Sequence, residues 1–116
     1  MNNCIFCKII NGEIPSTKVY EDDKVIAFND INPVAPVHIL VIPKKHYESI
    51  LDIQDEEMDI ISHVHKIIKS LAQQKGFDKT GFRIINNCGE DGCQEVKHIH
   101  FHILAGKKLN WYEAEK

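Results

Sequence analysis

Apolar positions in this chain follow two different periods, and the changes between them mark its elements. From residue 55 to residue 75, Ile60, Ile61, Val64, Ile67, Ile68 and Leu71 recur three and four apart, as one face of a helix requires. Asp55, Glu56 and Glu57 suit the positive N-terminal end of such a helix and Gly76 suits its stop, so one long amphipathic helix is expected over 55–75. Elsewhere the apolar runs are short and β-branched. Residues 18–21 and 24–29 read as a hairpin turned at Asp22-Asp23, and residues 37–42 as a central strand halted by Pro43. Residues 82–86 and 96–104 complete five strands. A short helix is expected over 6–11, ending near Gly12 and before Pro15, as a flap over the sheet. The class is therefore α+β: an antiparallel sheet backed by one long helix, with one short helix beside it.

Composition narrows the function classes. A chain of 116 residues with 43% hydrophobic content holds one compact core, so residues 1–116 read as a single domain. A net charge of -3 gives no global attraction to nucleic acid, and no apolar run approaches the roughly 20 residues of a membrane helix. The beginning Met1-Asn2-Asn3-Cys4 lacks the basic and long apolar regions of a secretion signal, so a soluble, cytoplasmic protein is expected. In a reducing compartment Cys4, Cys7, Cys88 and Cys93 would be free or metal-bound.

Chemistry concentrates in His98-Ile99-His100-Phe101-His102-Ile103-Leu104, where three histidines alternate with bulky apolar residues. On a strand this alternation sends the imidazoles to one face and their neighbours to the other. Imidazole is the side chain best suited at neutral pH to act as nucleophile, proton carrier or metal ligand. The loop before it, from Asn87 to Gln94, carries Gly89 and Gly92 for close backbone approach, with Asn87 and Gln94 as amide donors. It reads either as a phosphate cradle or as a simple connection. Cys4-Ile5-Phe6-Cys7 has the spacing by which two thiolates grip one zinc ion, and His46 and His98 are candidates to complete a tetrahedral site. A redox pair or free thiols are the alternatives. His63 and His65, on the long helix, have no acidic or thiol partner at ligand spacing and read as surface or interface residues.

The histidine run fits the histidine-triad signature, and the chain resembles the nucleotide-binding phosphoramidate hydrolase branch of that family almost end to end. The resemblance extends through Ile5-Phe6-Cys7-Lys8-Ile9-Ile10, Glu13-Ile14-Pro15, Tyr20-Glu21-Asp22-Asp23, Ala27-Phe28-Asn29-Asp30-Ile31 and Val41-Ile42-Pro43-Lys44-Lys45-His46. It implies a five-stranded antiparallel sheet with two helices, and a homodimer that continues the sheet and packs the long helices together. It also implies that His100 is the nucleophile, attacking the α-phosphorus of a nucleoside phosphoramidate to form a covalent nucleotidyl-histidine that water releases. His102 would contact the phosphate, and His38 would orient the catalytic imidazoles and share their protons, although a satisfied core histidine is its plain alternative. Asp30 fits the ribose-binding position. Ile31, Phe28, Phe6, Ile9, Ile14 and Leu40 would form the slot for a base, a purine by stacking area, though each has an ordinary core reading as well. Asn87, Gln94 and the backbone near Cys93 would hold the phosphate.

By the same kinship Cys4, Cys7, His46 and His98 would hold one structural zinc per chain, leaving no open position for substrate. Three features depart from the common pattern. Glu95 stands where many relatives have serine, bringing a negative charge to the phosphate loop. Cys93 replaces a frequent glycine. The tail Leu109-Asn110-Trp111-Tyr112-Glu113 keeps a tryptophan without a proline-rich ending. Cleavage of dinucleoside polyphosphates, nucleotidyl transfer, and nucleotide binding with vestigial chemistry are therefore the competing functions.

Overall fold

In the computed structural model, which describes residues 3–111, strands β1 (Lys18–Glu21), β2 (Val25–Asn29), β3 (Val37–Pro43), β4 (Arg83–Ile85) and β5 (Phe101–Ala105) form one sheet. Every pairing is antiparallel, and the spatial order is β1-β2-β3-β5-β4. The short helix α1 (Ile5–Ile10) covers one face and the long helix α2 (Asp59–Lys75) the other. This is the α+β, five-stranded architecture that the apolar pattern implies.

Period-two alternation explains why the central strands are apolar throughout. Val25 and Ala27 of β2, Ile39 and Val41 of β3 and Phe101 and Ile103 of β5 pack with Val64, Ile68 and Leu71 of α2. Ile26, Phe28, Leu40 and Ile42 point the other way, against Phe6 and Ile9 of α1. With both faces covered, β2 and β3 have no solvent side to mark with polar residues. The exceptions are His38 on β3 and His102 on β5, and they stand on the α1 side of the sheet.

The hairpin between β1 and β2 closes on Asp22, whose Oδ1 accepts from the backbone N–H of Lys24 at 2.8 Å and of Val25 at 2.9 Å. α2 stops at Gly76, which takes the left-handed conformation at φ 84°. Several boundaries differ from the sequence reading. The acidic trio Asp55–Glu57 forms a separate 3-10 turn, because Glu57 is engaged by the ends of Lys45 and Tyr47, and α2 itself begins at Asp59. A further 3-10 turn, Ile50–Asp52, follows β3 under a Ser49 capping box.

The largest difference concerns the histidine run. β5 begins at Phe101, not at residue 96. Ile99 donates its N–H to the Tyr47 carbonyl at 2.8 Å, and the Asn86 side chain donates to the His100 carbonyl at 2.9 Å, so the approach to β5 is held by loop and side chain instead of a ladder. Alternation nevertheless persists through the irregular part, since Ile99 is fully buried in the α2 core while His98 and His100 are buried apart from it. His63 also departs from expectation: its Nε2 lies 2.7 Å from Asp22 Oδ2, a partner 41 residues away that helical spacing does not reveal.

Candidate active site and metal centre

The N-terminal cluster forms because α1 is only six residues long and starts on a thiol. Cys4 occupies the N-cap, its Sγ accepting from the Cys7 N–H at 3.3 Å, which sets both cysteines on one side of the first turn. The turn presents them to two histidines. Cys4 Sγ lies 3.4 Å from His98 Nδ1, Cys7 Sγ 3.3 Å from His46 Nδ1 and 3.6 Å from His98 Nδ1. The four donor atoms all fall within 4.8 Å of one another. A tetrahedral zinc with Zn–S of about 2.3 Å and Zn–N of about 2.0 to 2.1 Å would require S···N edges of about 3.5 Å. The cluster therefore fits a four-coordinate metal with no open position.

Two further contacts prepare these donors. His98 Nε2 donates to the Pro43 carbonyl at 2.8 Å, which leaves Nδ1 as the lone-pair nitrogen facing the thiols. Burial pushes the His98 pKa down to about 4, with His46 and His100 adding to the fall and the Pro43 bond opposing it, so its ring stays neutral near pH 7. Burial, and then the Cys4 thiol, push Cys7 up to about 11 without metal. Loading a cation there must therefore release protons.

A chain of imidazoles begins at His38. The Val34 N–H donates to His38 Nδ1 at 3.1 Å, so in the neutral ring the proton sits on Nε2. That Nε2 lies 2.9 Å from His102 Nδ1 and 3.3 Å from Asp30 Oδ2. His102 Nδ1 is then the acceptor and His102 Nε2 carries hydrogen. At His100 the logic inverts: Nδ1 donates to the His98 carbonyl at 2.8 Å, which places the lone pair on Nε2. The His100 and His102 rings meet edge to face with centroids 5.1 Å apart. One ring thus carries a lone pair on Nε2 and its neighbour a hydrogen there. His38 is 3% exposed and His100 5%, which shields both from bulk water.

His100 and His102, but not His38, line a cavity of about 460 Å³. Phe6, Ile9, Ile14, Phe28 and Leu40 give it apolar walls, and Asp30, Ile31 and Glu95 also line it. Phe6 packs edge to face on both Phe28 and His100, at 5.8 and 5.1 Å between centroids. Ile31 is 89% exposed, an apolar lip with no core role.

Three residues expected at the phosphate are absent from this lining. Asn87 donates to the Gly92 carbonyl at 2.7 Å; Gln94 donates to the carbonyls of Glu48 and Val96 and accepts from the Gly89 N–H. Their amides hold the loop together. A Cβ on Gly92 would sit 2.4 Å from the Cys88 carbonyl oxygen, and Cys93 adopts φ 61°, so the loop is wound tightly enough to turn Cys93 outward into solvent. Ser16 was not anticipated: it lines the cavity, and its hydroxyl is buried with no hydrogen-bond partner among the described residues. The cavity walls around it come from distant segments, so no local signal marks it. The Asp30 contact with His38 was likewise invisible in sequence. Tyr112 and Glu113 lie outside the described residues.

Comparisons with known proteins agree with this geometry. Residues 11–109 match the sequence model of the HIT domain family. A histidine triad protein from Clostridium difficile superposes with a TM-score of 0.94 at 72% identity, covering 97% of each chain. The 14 kDa zinc-binding protein of Brassica juncea is 50% identical over 109 residues, 92% of this chain and 96% of that one. The adenylylsulfatase HINT1 of Arabidopsis thaliana is 48% identical over 109 residues, 92% of this chain and 74% of that one. With His100 and His102 at a cavity and the match spanning most of its length, the chain belongs to the HIT domain family.

Proposed function

We propose that this protein is a nucleotide-binding hydrolase that cleaves nucleoside 5'-phosphoramidates through a nucleotidyl-histidine intermediate on His100. The observation that carries this reading is the opposed polarity of the two cavity imidazoles: hydrogen bonds place the lone pair of His100 on Nε2 and the hydrogen of His102 on Nε2. His100 Nε2 attacks phosphorus, the phosphorus–nitrogen bond to the amine breaks, and the amine leaves with a proton drawn from His102. Water then attacks phosphorus, its proton returns to the His102–His38 pair, and the bond to His100 breaks to release the nucleotide. His38 positions His102. Asp30 takes the ribose hydroxyls at the cavity wall while Oδ1 also accepts from the Asn32 N–H at 2.7 Å and Oδ2 steadies the His38 ring, and the Phe6, Ile9, Ile14, Phe28, Leu40 and Ile31 surfaces sandwich a purine. Asn87, Cys93 and Gln94 act one step back, shaping the loop that carries the segment into His100.

The Cys4, Cys7, His46 and His98 cluster is the place for one zinc ion per chain, supported by its donor set, its edge lengths and the zinc-binding name of a relative. Such an ion cross-links α1 to the segment that leads into β5. Pairing of two chains along the β4 edge is supported by Phe82, just before this outer strand, and Ile84 on it, which are 39% and 38% exposed. No helix among the described residues is long and apolar enough to cross a membrane.

Purified protein is expected to release AMP from adenosine 5'-phosphoramidate, with His100→Ala losing essentially all turnover while its circular dichroism stays native. Quenching the reaction with labelled substrate should leave label on His100. Label mapped to another residue, or full activity in His100→Ala, rejects the mechanism. Because one relative is named an adenylylsulfatase, adenylyl sulfate belongs in the same assay, and a faster rate on it would move the assignment from a phosphorus–nitrogen to an anhydride bond.

A further inference from the structure

The cavity wall formed by Ile5, Glu95 and Val96 is shared with a second groove of about 610 Å³ on the metal-cluster side. Under the hydrolase reading, on which this inference rests, the apolar walls hold the base and Asp30 the sugar. The leaving group must then depart past the wall that continues onward, and Glu95 stands on it. Among the described residues lining the catalytic cavity, Asp30 and Glu95 carry the formal charges, with no lysine or arginine beside them. In the groove beyond, Glu48 joins Glu95, opposed by Lys97 alone. Gln94 ties the backbone on either side of this groove, its Nε2 donating to the Glu48 carbonyl at 2.6 Å and to the Val96 carbonyl at 2.9 Å. Cys4 and His46 border the same groove, but with a divalent ion bound the two thiolates of the cluster would offset its charge.

We propose that Glu95 is a specificity-determining residue for the leaving group, selecting amines that keep a second, positive charge and discriminating against anionic leaving groups such as sulfate or phosphate. The physical basis is Coulombic. A carboxylate at the exit attracts a distal ammonium on the departing amine and repels a distal anion, whereas a hydroxyl there would treat both alike. Glu95 and Glu48 are exposed, so each contact is worth roughly a two- to fivefold rate difference, and the effect shrinks as salt shortens the screening length from about 10 Å at 0.1 M to about 3 Å at 1 M.

Three adenosine 5'-phosphoramidates test this, built on 1,3-diaminopropane, butylamine and β-alanine, so that arms of similar length end in ammonium, methyl or carboxylate. In low salt the wild-type protein should show kcat/KM values ordered ammonium, methyl, carboxylate, with roughly tenfold between the extremes. Glu95→Gln should compress that span severalfold and raise the relative rate on adenylyl sulfate. Glu95→Asp should restore most of it, and Lys97→Gln should widen it. Equal ratios in wild type and Glu95→Gln, or a span unaffected by 1 M salt, would overturn the proposal. Absence of turnover on all three compounds would defeat the hydrolase reading separately; calorimetric affinities of the same compounds for wild type and Glu95→Gln then decide the role of Glu95, with unchanged ratios again counting against it.

Discussion

At His38 a single backbone N–H governs the protonation of two rings. Val34 donates to Nδ1, which forces hydrogen to Nε2 and makes His102 Nδ1 an acceptor. His38→Ala should therefore lower kcat by about 10² to 10⁴ while changing KM little, because it removes orientation and proton sharing without touching the base slot. Steady-state kinetics on the phosphoramidate checks this; a change confined to KM would contradict it. Two other residues hold conformational or polar stress that substitution should relieve. Ser16→Ala removes a buried hydroxyl with no partner among the described residues, and should stabilise the nucleotide-free protein by about 1 kcal/mol in denaturant unfolding. Cys93→Gly removes a side chain from the left-handed region, where L-residues lose roughly 1 to 2 kcal/mol, offset in part by the flexibility of glycine when unfolded.

Among the elements, α1 depends most on contacts outside itself. Six residues cannot sustain a helix alone, and this one is held by Phe6 and Ile9 against the sheet and by the thiols of Cys4 and Cys7 near His46 and His98. Protein prepared without chelators should carry about one zinc per chain by elemental analysis, and Cys7→Ser should lose it together with about 3 kcal/mol or more of stability. The β1–β2 hairpin depends on Asp22. Burial by itself would raise this carboxyl, but the N–H groups of Lys24 and Val25, the Tyr20 hydroxyl and His63 together hold it well below the usual carboxylate range. A group whose folded pKa is depressed contributes stability that is complete above its unfolded pKa of roughly 4 and is lost as pH falls below it, where only the unfolded chain takes up the proton. Asp22→Asn should accordingly cost about 2 kcal/mol at pH 7 and flatten the acid limb of a stability–pH profile. A limb as steep as wild type would remove Asp22 from the account.

For the whole molecule, the sheet order leaves β4 as an outer strand of only three residues with Ile84 and Phe82 partly exposed beside it. An edge of that kind is a template for pairing with a second copy. Sedimentation velocity should give the mass of two chains for wild type and of one for Ile84→Asp, and a wild-type monomer at micromolar concentration would exclude the pairing. The same order puts β3 and β5 side by side at the centre, which is why His38 and His102, 64 residues apart, meet. Register makes Leu40 the direct partner of His102 and leaves His38 on the diagonal, close enough for long side chains to touch.

Much of this could be read from local pattern. Apolar period separates α2 from the strands, Gly76 stops the helix, and the Cys4, Cys7, His46 and His98 set is legible from ligand chemistry, because these signals depend on neighbouring residues or on residue type alone. The limits were equally physical. The strand expected over residues 96–104 lost its first half because Ile99 and His100 bond to Tyr47 and Asn86, and the amides of Asn87 and Gln94 were taken by carbonyls that sequence cannot place beside them. Sequence alone determined which side chains are capable of such chemistry and which face of each element is apolar, since both follow from covalent structure and backbone period. Tertiary structure decided which ring nitrogen holds each proton, which donors remain for a ligand, and that Glu95 faces two cavities, since each depends on hydrogen-bond partners and walls supplied from distant parts of the chain.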